Sequence, residues 1–293
     1  MNALITGGSG YFGSLLVNRL LLKNWNCRVF DLNAYNGSKS VEFLEGDISD
    51  YTSVLDACKG VDVVFHNVAQ VPLAKYKNLF DPETNCMRGK NEVGTFQSPF
   101  NPLKWGDAFT EGNSLHYSWS VFHDIQGLID LMGGNSEFIG MLDSVFTMPP
   151  KFDDSYYGFT IHEIREMQIV NMGNYALGNQ PIQHMIYLYN YAKQPWKAQD
   201  KVRNVMKKLY SAEPDGYCGD EDNGQTSAWY VFSALGFYPV TPGVPQYVFG
   251  SPLFEKVTMS LQNGKIFTIK SVDNSYNSHF IKSLKLNGTN YNN

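Results

Sequence analysis

Positive charge is scarce and unclustered in this sequence, and long apolar runs are missing. Of 293 residues, 23 are Lys or Arg and 28 are Asp or Glu, which gives a formal net charge of −5. Domains that bind nucleic acid usually gather Lys and Arg on one face to neutralise phosphates. No apolar run reaches the roughly 20 residues that a membrane-spanning helix needs. We therefore expect no nucleic acid and no membrane among the partners.

Cysteine is also scarce, and the first residues lack the features of a secretory signal. The four cysteines are Cys27, Cys58, Cys86 and Cys218. Their spacing is not that of a metal site. Residues 1–5 lead straight into an apolar strand, without a basic segment followed by a hydrophobic one. The sequence therefore predicts a reduced compartment and a cytoplasmic location.

Aromatic residues, in contrast, are abundant. The chain has 19 Phe, 18 Tyr and 5 Trp, and the excess lies after residue 76. Aromatic rings line many sugar sites, but packing in a core is the more common use of any single ring. Hydrophobic residues make up 43% of the chain, so a folded core is expected.

The first 75 residues alternate between predicted strands and helices. Apolar runs predict strands at 3–6, 27–30 and 63–65, and a helix at 14–22. Gly7, Gly10 and Gly13 lie between the first strand and the helix with the spacing G-x-x-G-x-x-G. Such glycines allow a tight turn and a close approach of the backbone to a pyrophosphate at a helix N-terminus. This pattern predicts a Rossmann-like α/β fragment.

An acid follows the second predicted strand at the position where a ribose would be bound. Asp31 stands 18 residues after Gly13, and 46–48 (Gly-Asp-Ile) follow a little later. With these motifs the segment resembles the N-terminus of extended short-chain dehydrogenases, the sugar-nucleotide epimerase family. The resemblance implies that Asp47 lies by the adenine and that 66–69 lie near the phosphates and ribose. It implies NAD(P) as cofactor, bound by Gly7, Gly10, Gly13, Asp31 and Asp47.

This resemblance ends near residue 75, before the part of such enzymes that carries the chemistry. A family member has further strand–helix units, a catalytic Ser or Thr, and a Tyr-x-x-x-Lys pair in which Lys lowers the tyrosine pKa. Tyr189 and Lys193 have that spacing, but they lie too far along the chain and inside a different pattern, which indicates chance. Three predicted strands form half of a doubly wound sheet. We therefore expect NAD(P) binding to be weak at best.

The pattern changes abruptly at 75–77, without a linker rich in Pro or Ser. Domains that evolved as a fusion usually have such a linker, so the seam favours recombination or a mis-assembled gene.

Helices are predicted at 121–132, 136–146, 162–172, 182–192, 196–209 and 226–235, and strands at 246–249, 256–260 and 265–269. Helices in this number without intervening strands predict a helical toroid. The predicted domains are 1–75, 76–245 and 246–293.

The loops between these helices carry a specific series of motifs. In order they are 76–81, 109–113, 117–119, 123–128, 178–181, 187–192, 194–197, 219–225 and 227–239. The series resembles glycoside hydrolase family 92, the exo-acting α-mannosidases. The resemblance implies a partial (α/α)6 toroid with C-terminal β-strands, inversion of the anomeric configuration, and calcium. It also implies that an N-terminal β-sandwich and the first part of the toroid are absent, and that the C-terminus is cut.

The resemblance assigns the catalytic carboxyl groups. Inverting hydrolysis needs one carboxylic acid to protonate the leaving oxygen and one carboxylate to activate water. Glu111, in Thr-Glu-Gly-Asn, matches the general acid of the family, Asp222 matches its base, and Asp220 assists. Their alternatives are a helix-capping carboxylate at 111 and a solvated acidic turn at 220–222. The carboxyls of Glu111 and Asp222 are expected about 6.5–9.5 Å apart.

Metal ligands are implied in the same way. Calcium takes oxygen ligands from carboxylates, amides and water. Glu163 and Asp222 match the metal-binding positions, and Asp220 is expected to lie close enough to share the ion. The alternative for Glu163 and Glu166 is a pair of solvated charges that flank Arg165.

Three further residues are expected to contact the substrate. His162 precedes Glu163 and matches a residue that contacts sugar. Gln180 replaces the Glu of the Gly-Asn-Glu-Pro motif of some members, which implies a different neutral contact. Trp119 and His184 are expected as site walls, with a place in the core as the alternative.

These assignments predict an inverting, calcium-dependent exo-α-mannosidase that releases mannose from α-mannosides or N-glycans and is impaired by truncation. Two alternatives stay open. One is an NAD-dependent sugar-nucleotide epimerase or dehydratase-like protein, on the basis of residues 1–75. The other is an inactive chimeric or mis-assembled gene product, because incomplete halves leave apolar helix faces and strand edges exposed.

Overall fold

Two runs of the chain form separate units, Met1–Pro72 and Leu73–Asn293. The computed structural model describes residues 1–48, 50–66, 76–241 and 244–291, without the side chains of residues 11 and 12. The predicted junction at 75–77 and the predicted cofactor contacts at 67–69 lie partly or wholly outside the described residues.

The N-terminal unit contains a parallel sheet. Its elements are β1 (Asn2–Thr6), α1 (Tyr11–Leu21), β2 (Asn26–Asp31), β3 (Glu42–Glu45), α2 (Tyr51–Ala57) and β4 (Val63–His66). Within the described part of this unit, four parallel strands pair in the order β3-β2-β1-β4. Thr6 pairs with Phe30 of β2 on one side and with His66 of β4 on the other, so the carboxyl ends of these strands meet at one edge.

Alternation along β1 sends apolar side chains to both faces of this sheet. Ala3 and Ile5 pack in one cluster with Val17 of α1. Leu4 points the other way and packs in a second cluster with Ala57 of α2. Both faces of the sheet are therefore covered by a helix, which is the arrangement of a Rossmann-like fold.

The prediction of three strands in this unit is wrong, because β3 was missed. Glu42 and Glu45 enclose only two apolar residues, and the strand lies at the sheet edge with no fully buried residue. An edge strand needs no long apolar run, so the hydrophobic pattern gave no signal. The helix α2 was missed as well. Its N-terminus is capped by Asp50, whose carboxylate accepts from Thr52 N–H.

Gly13 is the point where α1 passes closest to the glycine turn. A Cβ at this position would lie 2.1 Å from the carbonyl oxygen of Gly7 and 2.6 Å from Gly8 Cα. Backbone atoms cannot move away by changing rotamer. We therefore expect Gly13→Ala to lower the free energy of unfolding of this unit by about 3 kcal/mol.

Gly10→Ala is the matched control, because its Cβ would meet Gly7 O at 3.3 Å and its φ of −72° suits alanine. We expect a loss under about 1 kcal/mol for this variant. Denaturant titration with hydrogen exchange of the β1 and β2 amides measures both. Equal losses for the two variants would contradict the close approach at Gly13.

The C-terminal unit is mainly helical, with short strand pairs. Its helices are α3 (Tyr76–Leu79), α4 (Ser114–Tyr117), α5 (Ile125–Leu131), α6 (Asn135–Thr147), α7 (His162–Val170), α8 (Gln180–Gln183), α9 (Leu188–Tyr191), α10 (Pro195–Leu209) and α11 (Gln225–Leu235). Its strands are β5 (Phe80–Asp81), β6 (Cys86–Met87), β7 (Phe237–Tyr238), β8 (Val248–Phe249), β9 (Lys256–Ser260), β10 (Ile266–Lys270), β11 (Lys285–Leu286) and β12 (Thr289–Asn290). Among the described residues, no helix is long and apolar enough to cross a membrane.

Aromatic side chains fill the core of this unit. Trp105, Trp119, Trp229 and Tyr187 are all fully buried. The rings of Tyr187 and Tyr238 stack at a centroid distance of 4.5 Å. Much of the aromatic excess in the sequence therefore serves packing.

Two predicted helices differ from the observed ones for local reasons. The segment 121–132 becomes helical only at Ile125, because the Asp124 carboxylate accepts from Gly127 N–H at 3.0 Å and starts the helix there. The segment 182–192 is divided into α8, a 3₁₀ turn (Met185–Tyr187) and α9. Residues Met185–Tyr187 are buried on all sides, so their apolar pattern could not reveal the break.

Candidate active site

Loops that precede α4, α8 and α11 meet in the C-terminal unit. The Asn179 side-chain amide donates to the Glu111 carbonyl oxygen, which joins the first two loops. The second and third loops touch at Gly178 and Gly219, where a Cβ on Gly219 would lie 2.6 Å from Gly178 Cα. The loop that bears Glu111 and the loop that bears Asp220 are thus both fixed to the same short segment.

Glu111 lies on a tightly held turn with its own side chain exposed. Its φ is +48°, and its N–H donates to the Tyr157 hydroxyl at 3.2 Å. Tyr117 donates its hydroxyl to the Thr110 carbonyl at 2.5 Å. Burial, followed by the nearby Glu111 charge, raises the pKa of Tyr117. Glu111 can therefore reach a solvent-side ligand from a defined position.

A histidine-based cap fixes the helix that follows. The Asn113 side chain accepts from His116 N–H at 3.1 Å, and His116 Nδ1 accepts from Asn113 N–H at 3.3 Å. His116 Nε2 therefore carries the proton and donates to the Asn174 carbonyl at 2.9 Å. Complete burial lowers the pKa of His116 to about 4, so the ring is neutral at pH 7.

The first turn of α7 presents a group of charged side chains. His162 Nδ1 lies 2.9 Å from Glu166 Oε1, and His162 Nε2 lies 3.3 Å from Glu163 Oε1. The hydrogen bond to Glu166, followed by the charges of Glu163 and Asp220, raises the pKa of His162. Burial raises the pKa of Glu166, and the Glu163 and Asp220 charges add to the rise. Four titratable groups from two segments are thus electrostatically coupled.

Two buried carboxylate oxygens in this group suit a hard cation. Glu163 Oε2 and Glu166 Oε2 are buried and accept no hydrogen bond from the described residues. Glu166 Oε2 lies in a cradle of two glycines, since a Cβ would approach it to 3.0 Å from Gly178 and to 2.8 Å from Gly219. Oxygen atoms without donors are what calcium requires. Glu163 and Glu166 therefore offer two oxygen atoms of the kind that a calcium site uses.

Side chains alone do not complete such a site. Within the described ranges, no group of three or more His, Cys, Asp and Glu side chains is gathered closely enough to hold a metal ion. Calcium needs six to eight oxygens, so carbonyl, amide and water oxygens would have to supply the rest. The coupled acid from the third loop is Asp220. The assignment of Asp222 as a metal ligand stays a prediction.

The acidic residues before α11 make different contacts. Glu221 accepts from Gly224 N–H at 2.6 Å and from the Ser227 hydroxyl at 2.5 Å, so it holds the helix start. The bond from Ser227, followed by that from Gly224, lowers the pKa of Glu221. Asp222 begins a left-handed turn that runs to Gly224, with φ of +56° and +100° at its two ends. The alternative of a structural acidic turn therefore applies to Glu221.

Of the residues expected at the substrate site, two are exposed and two are buried. His162 is exposed at the start of α7, and Gln180 is exposed at the start of α8. Trp119 is fully buried and meets Phe138 edge to face at 5.3 Å. A direct contact between Trp119 and a ligand therefore does not fit this position, because the side chain is fully buried in the core. His184 is also buried and donates Nε2–H to the Trp119 carbonyl at 2.8 Å.

Sequence reasoning missed the supporting residues Asn179 and Tyr157. Asn179 stands inside the quoted motif 178–181, so that motif held a signal that was not used. Tyr157 lies in no recognised motif. Its pKa is raised by burial first and then by the charges of Glu111 and Glu163.

The residues predicted to bind a dinucleotide lie at one edge of the sheet in the N-terminal unit. Asp31 ends β2 and accepts from Ser9 N–H at 3.0 Å and from Asn33 N–H at 2.9 Å. Gly7 has a φ of +69°, and its N–H donates to Phe30 O at 2.9 Å. These bonds fix the acid beside the glycine turn at the carboxyl edge of the sheet.

The remaining predicted cofactor residues surround the same edge. Gly10 is the N-cap of α1, Gly13 lies in its first turn, and Asp47 follows β3. The glycines at 8 and 13 leave no room for a Cβ, because Val29 packs against Gly8 and the backbone of Gly7 and Gly8 packs against Gly13. Such close packing of helix and strand is a feature of dinucleotide-binding turns. The residues present fit a dinucleotide pyrophosphate, and the cofactor assignment stays a prediction.

Two family models match the chain. The model described as the glycosyl hydrolase family 92 catalytic domain matches residues 70–293. The model described as the NAD dependent epimerase/dehydratase family matches residues 3–84. Both resemblances stated from the motifs are confirmed by these matches.

Individual relatives agree with the two models. A solved family 92 inverting mannosidase from Bacteroides thetaiotaomicron is 54% identical, with a TM-score of 0.64, over 74% of this chain and 30% of that one. An uncharacterized secreted glycosidase of Arthroderma benhamiae is 27% identical over 242 residues, which are 74% of this chain and 28% of that protein. A UDP-glucose 4-epimerase of Rickettsia bellii is 33% identical over 103 residues, covering 30% of each chain.

The chain thus spans about three tenths of the length of the relatives that it matches. Its larger matched region contains the converging loops and the carboxylate group described above. The chain belongs to glycosyl hydrolase family 92.

Proposed function

We propose that the C-terminal unit carries the active site of an inverting, calcium-dependent exo-α-mannosidase, and that its helices are part of an (α/α)6 toroid. Family membership supports a glycoside hydrolase, and solved relatives described as an inverting mannosidase and as an α-mannosidase support α-mannosides as substrates. We propose that N-glycans are among them. The observation that carries the proposal is the convergence of three loops that bear Glu111, Asn179 and Asp220.

In the proposed mechanism, Glu111 is the general acid. Its exposed carboxyl protonates the leaving glycosidic oxygen from a turn held by Tyr157 and Asn179. Asp222 accepts a proton from the attacking water, and Asp220 assists in its orientation. This division requires the carboxyls of Glu111 and Asp222 to lie about 6.5–9.5 Å apart in the active form, so that water fits between base and sugar.

The proposed calcium site uses the carboxylates of Glu163 and Asp222, with Asp220 close enough to share the ion, and Glu166 adds a buried oxygen to this set. When bound, calcium supplies charge that attracts sugar hydroxyls. His162 Nδ1 is bonded to Glu166 at 2.9 Å and Nε2 lies 3.3 Å from Glu163, and these carboxylates favour the charged form of the ring. The Nε2–H is therefore the group of His162 that donates to a ligand oxygen. The exposed amide of Gln180 can donate to and accept from further hydroxyls.

Release of mannose from an α-linked manno-disaccharide tests the proposal. The aligned region covers 30% of the solved relative, so the rate of the whole relative is not expected from this chain. We expect slow but measurable release at high protein concentration, which a calcium chelator abolishes and added calcium restores. A protein without release under these conditions would favour the alternative of an inactive chimera. Release that a chelator leaves unchanged would contradict the calcium assignment.

A second candidate function rests on the N-terminal unit. The fixed pair of Asp31 and the glycine turn supports NAD(P) binding, and we propose that this binding is weak. The match to the epimerase family covers residues 3–84. Neither Tyr189 nor Lys193 belongs to this unit, so that pair cannot serve redox chemistry there.

A further inference from the structure

Side chains from two other segments hold both peptide groups of Glu111. The Glu111 N–H donates to the Tyr157 hydroxyl at 3.2 Å, and the Glu111 C=O accepts from the Asn179 side-chain amide. Glu111 has a φ of +48°, in the left-handed region. Such a conformation is strained for a non-glycine residue and persists only where the surroundings enforce it.

Asn179 stands where its side chain would ordinarily cap a helix. It is the N-cap of α8 and only 6% exposed. Among the described residues, it caps no N–H of α8 with its side chain. Its amide instead reaches across to the Glu111 carbonyl, at the expense of the local cap. The side-chain hydrogen bond of Asn179 therefore holds the Glu111 turn and not the start of α8.

The neighbour of Asn179 extends this link to the opposite loop. Gly178 contacts Gly219, which directly precedes Asp220. The segment 178–179 thus touches the turn of the proposed acid on one side and the loop of the proposed base on the other. A displacement of Asn179 changes the position of Glu111 relative to Asp220.

We propose that Asn179 is a positioning residue that, together with Tyr157, holds the left-handed turn of Glu111 and aims its carboxyl at the leaving oxygen. This inference rests on the proposed role of Glu111 as general acid. Proton transfer depends steeply on geometry, and a displacement of about 1 Å can lower a rate by about 10²-fold.

The first test compares leaving groups in the full chain with calcium present. Asn179→Asp replaces the amide donor with an oxygen that faces the Glu111 carbonyl. We expect kcat for an α-manno-disaccharide to fall about 10²-fold. For an aryl α-mannoside whose acidic phenol leaves without protonation, we expect a change within about threefold. Tyr157→Phe, which keeps the ring, is expected to reduce kcat for the disaccharide by about tenfold with the same selectivity.

Asn274→Asp is the matched control, because the Asn274 amide also donates to a backbone carbonyl of another segment, Pro252 O at 3.0 Å. We expect this variant to retain the wild-type ratio of the two rates. Equal losses on both substrates in Asn179→Asp and Tyr157→Phe would overturn the positioning role, because a general loss of structure does not distinguish leaving groups.

The second test does not depend on catalysis. Hydrogen exchange of the Glu111 amide in the wild-type chain is expected to be slow, because its N–H is bonded to Tyr157. We expect exchange about tenfold faster or more in Asn179→Asp and Tyr157→Phe, and unchanged in Asn274→Asp. Unchanged exchange in both site variants would overturn the inference. Absence of wild-type activity on both substrates would instead count against the proposed function, while the exchange experiment still decides the role of Asn179.

Discussion

Replacement of Asp222 by Asn is expected to lower mannose release by about 10²–10⁴-fold, because the amide cannot accept a proton from the attacking water. The substitution keeps the size of the side chain and the left-handed turn, which asparagine adopts readily. Glu111→Gln is expected to cause a similar loss for a disaccharide, since it removes the proton donor. Initial rates of mannose release in calcium-containing buffer measure both variants.

Asp215→Asn is the control for the loss of one negative charge. Asp215 is exposed, lies seven residues before Asp222 and has no assigned role. We expect its rate to equal that of the wild type within about twofold. Asp222→Asn with wild-type activity would remove the assignment of the base, even if Glu111→Gln were inactive.

Acidification is expected to unfold the C-terminal unit between pH 6.5 and pH 4, because two buried histidines are neutral in the folded state. Burial lowers the pKa of His116 and of His184 from 6.5 to about 4. The unfolded chain therefore binds more protons than the folded one in this range. The stability due to each neutral ring is complete above pH 6.5 and is lost as pH falls towards 4, at about 3 kcal/mol for each histidine.

His184→Gln separates the two contributions. Glutamine can keep a donor towards the Trp119 carbonyl, which His184 Nε2 contacts at 2.8 Å, and it does not titrate. We expect the variant to lose about half as much unfolding free energy as the wild type between pH 7 and pH 4.5 in urea titrations. An identical pH dependence in variant and wild type would show that His184 does not contribute.

Protonation of His116 is also expected to change the candidate site. An added proton on Nδ1 would face the Asn113 N–H and break the cap at the start of α4, two residues after Glu111. Any loss of activity in mild acid is therefore expected to accompany the local opening of this loop. Hydrogen exchange of the Asn113 amide between pH 7 and pH 5 would detect that opening.

The order of local motifs was sufficient to identify both families and to divide the chain near residue 75. The glycine turn at 7–13 and Asp31 are local features, since each depends on a strand end and the turn beside it. The loops at 109–113, 178–181 and 219–225 likewise carry their identity in a few consecutive residues. Such features can be recognised without knowledge of the packing around them.

Tertiary structure decided which of these residues meet and which are buried. The sequence predicts Trp119 as an aromatic wall of the site, but the structure buries it completely in the core. The three acids at 220–222 look alike in the sequence. In the structure, Glu221 accepts a hydrogen bond from Gly224 N–H at the start of α11, while the charge of Asp220 acts on His162 of α7. Strand β3 has too few apolar residues to be recognised, because an edge position demands little burial.

The sequence by itself determined the two family assignments, most of the helices and the candidate carboxylates, because periodicity and short motifs are local properties. Only the tertiary structure revealed the bond from Asn179 to Glu111, the contact of Gly178 with Gly219 and the coupling of Asp220 to Glu166. These pairs are separated by 41 to 68 residues in the chain. Hydrogen bonds and charge interactions depend on distance in space, which the linear sequence does not contain.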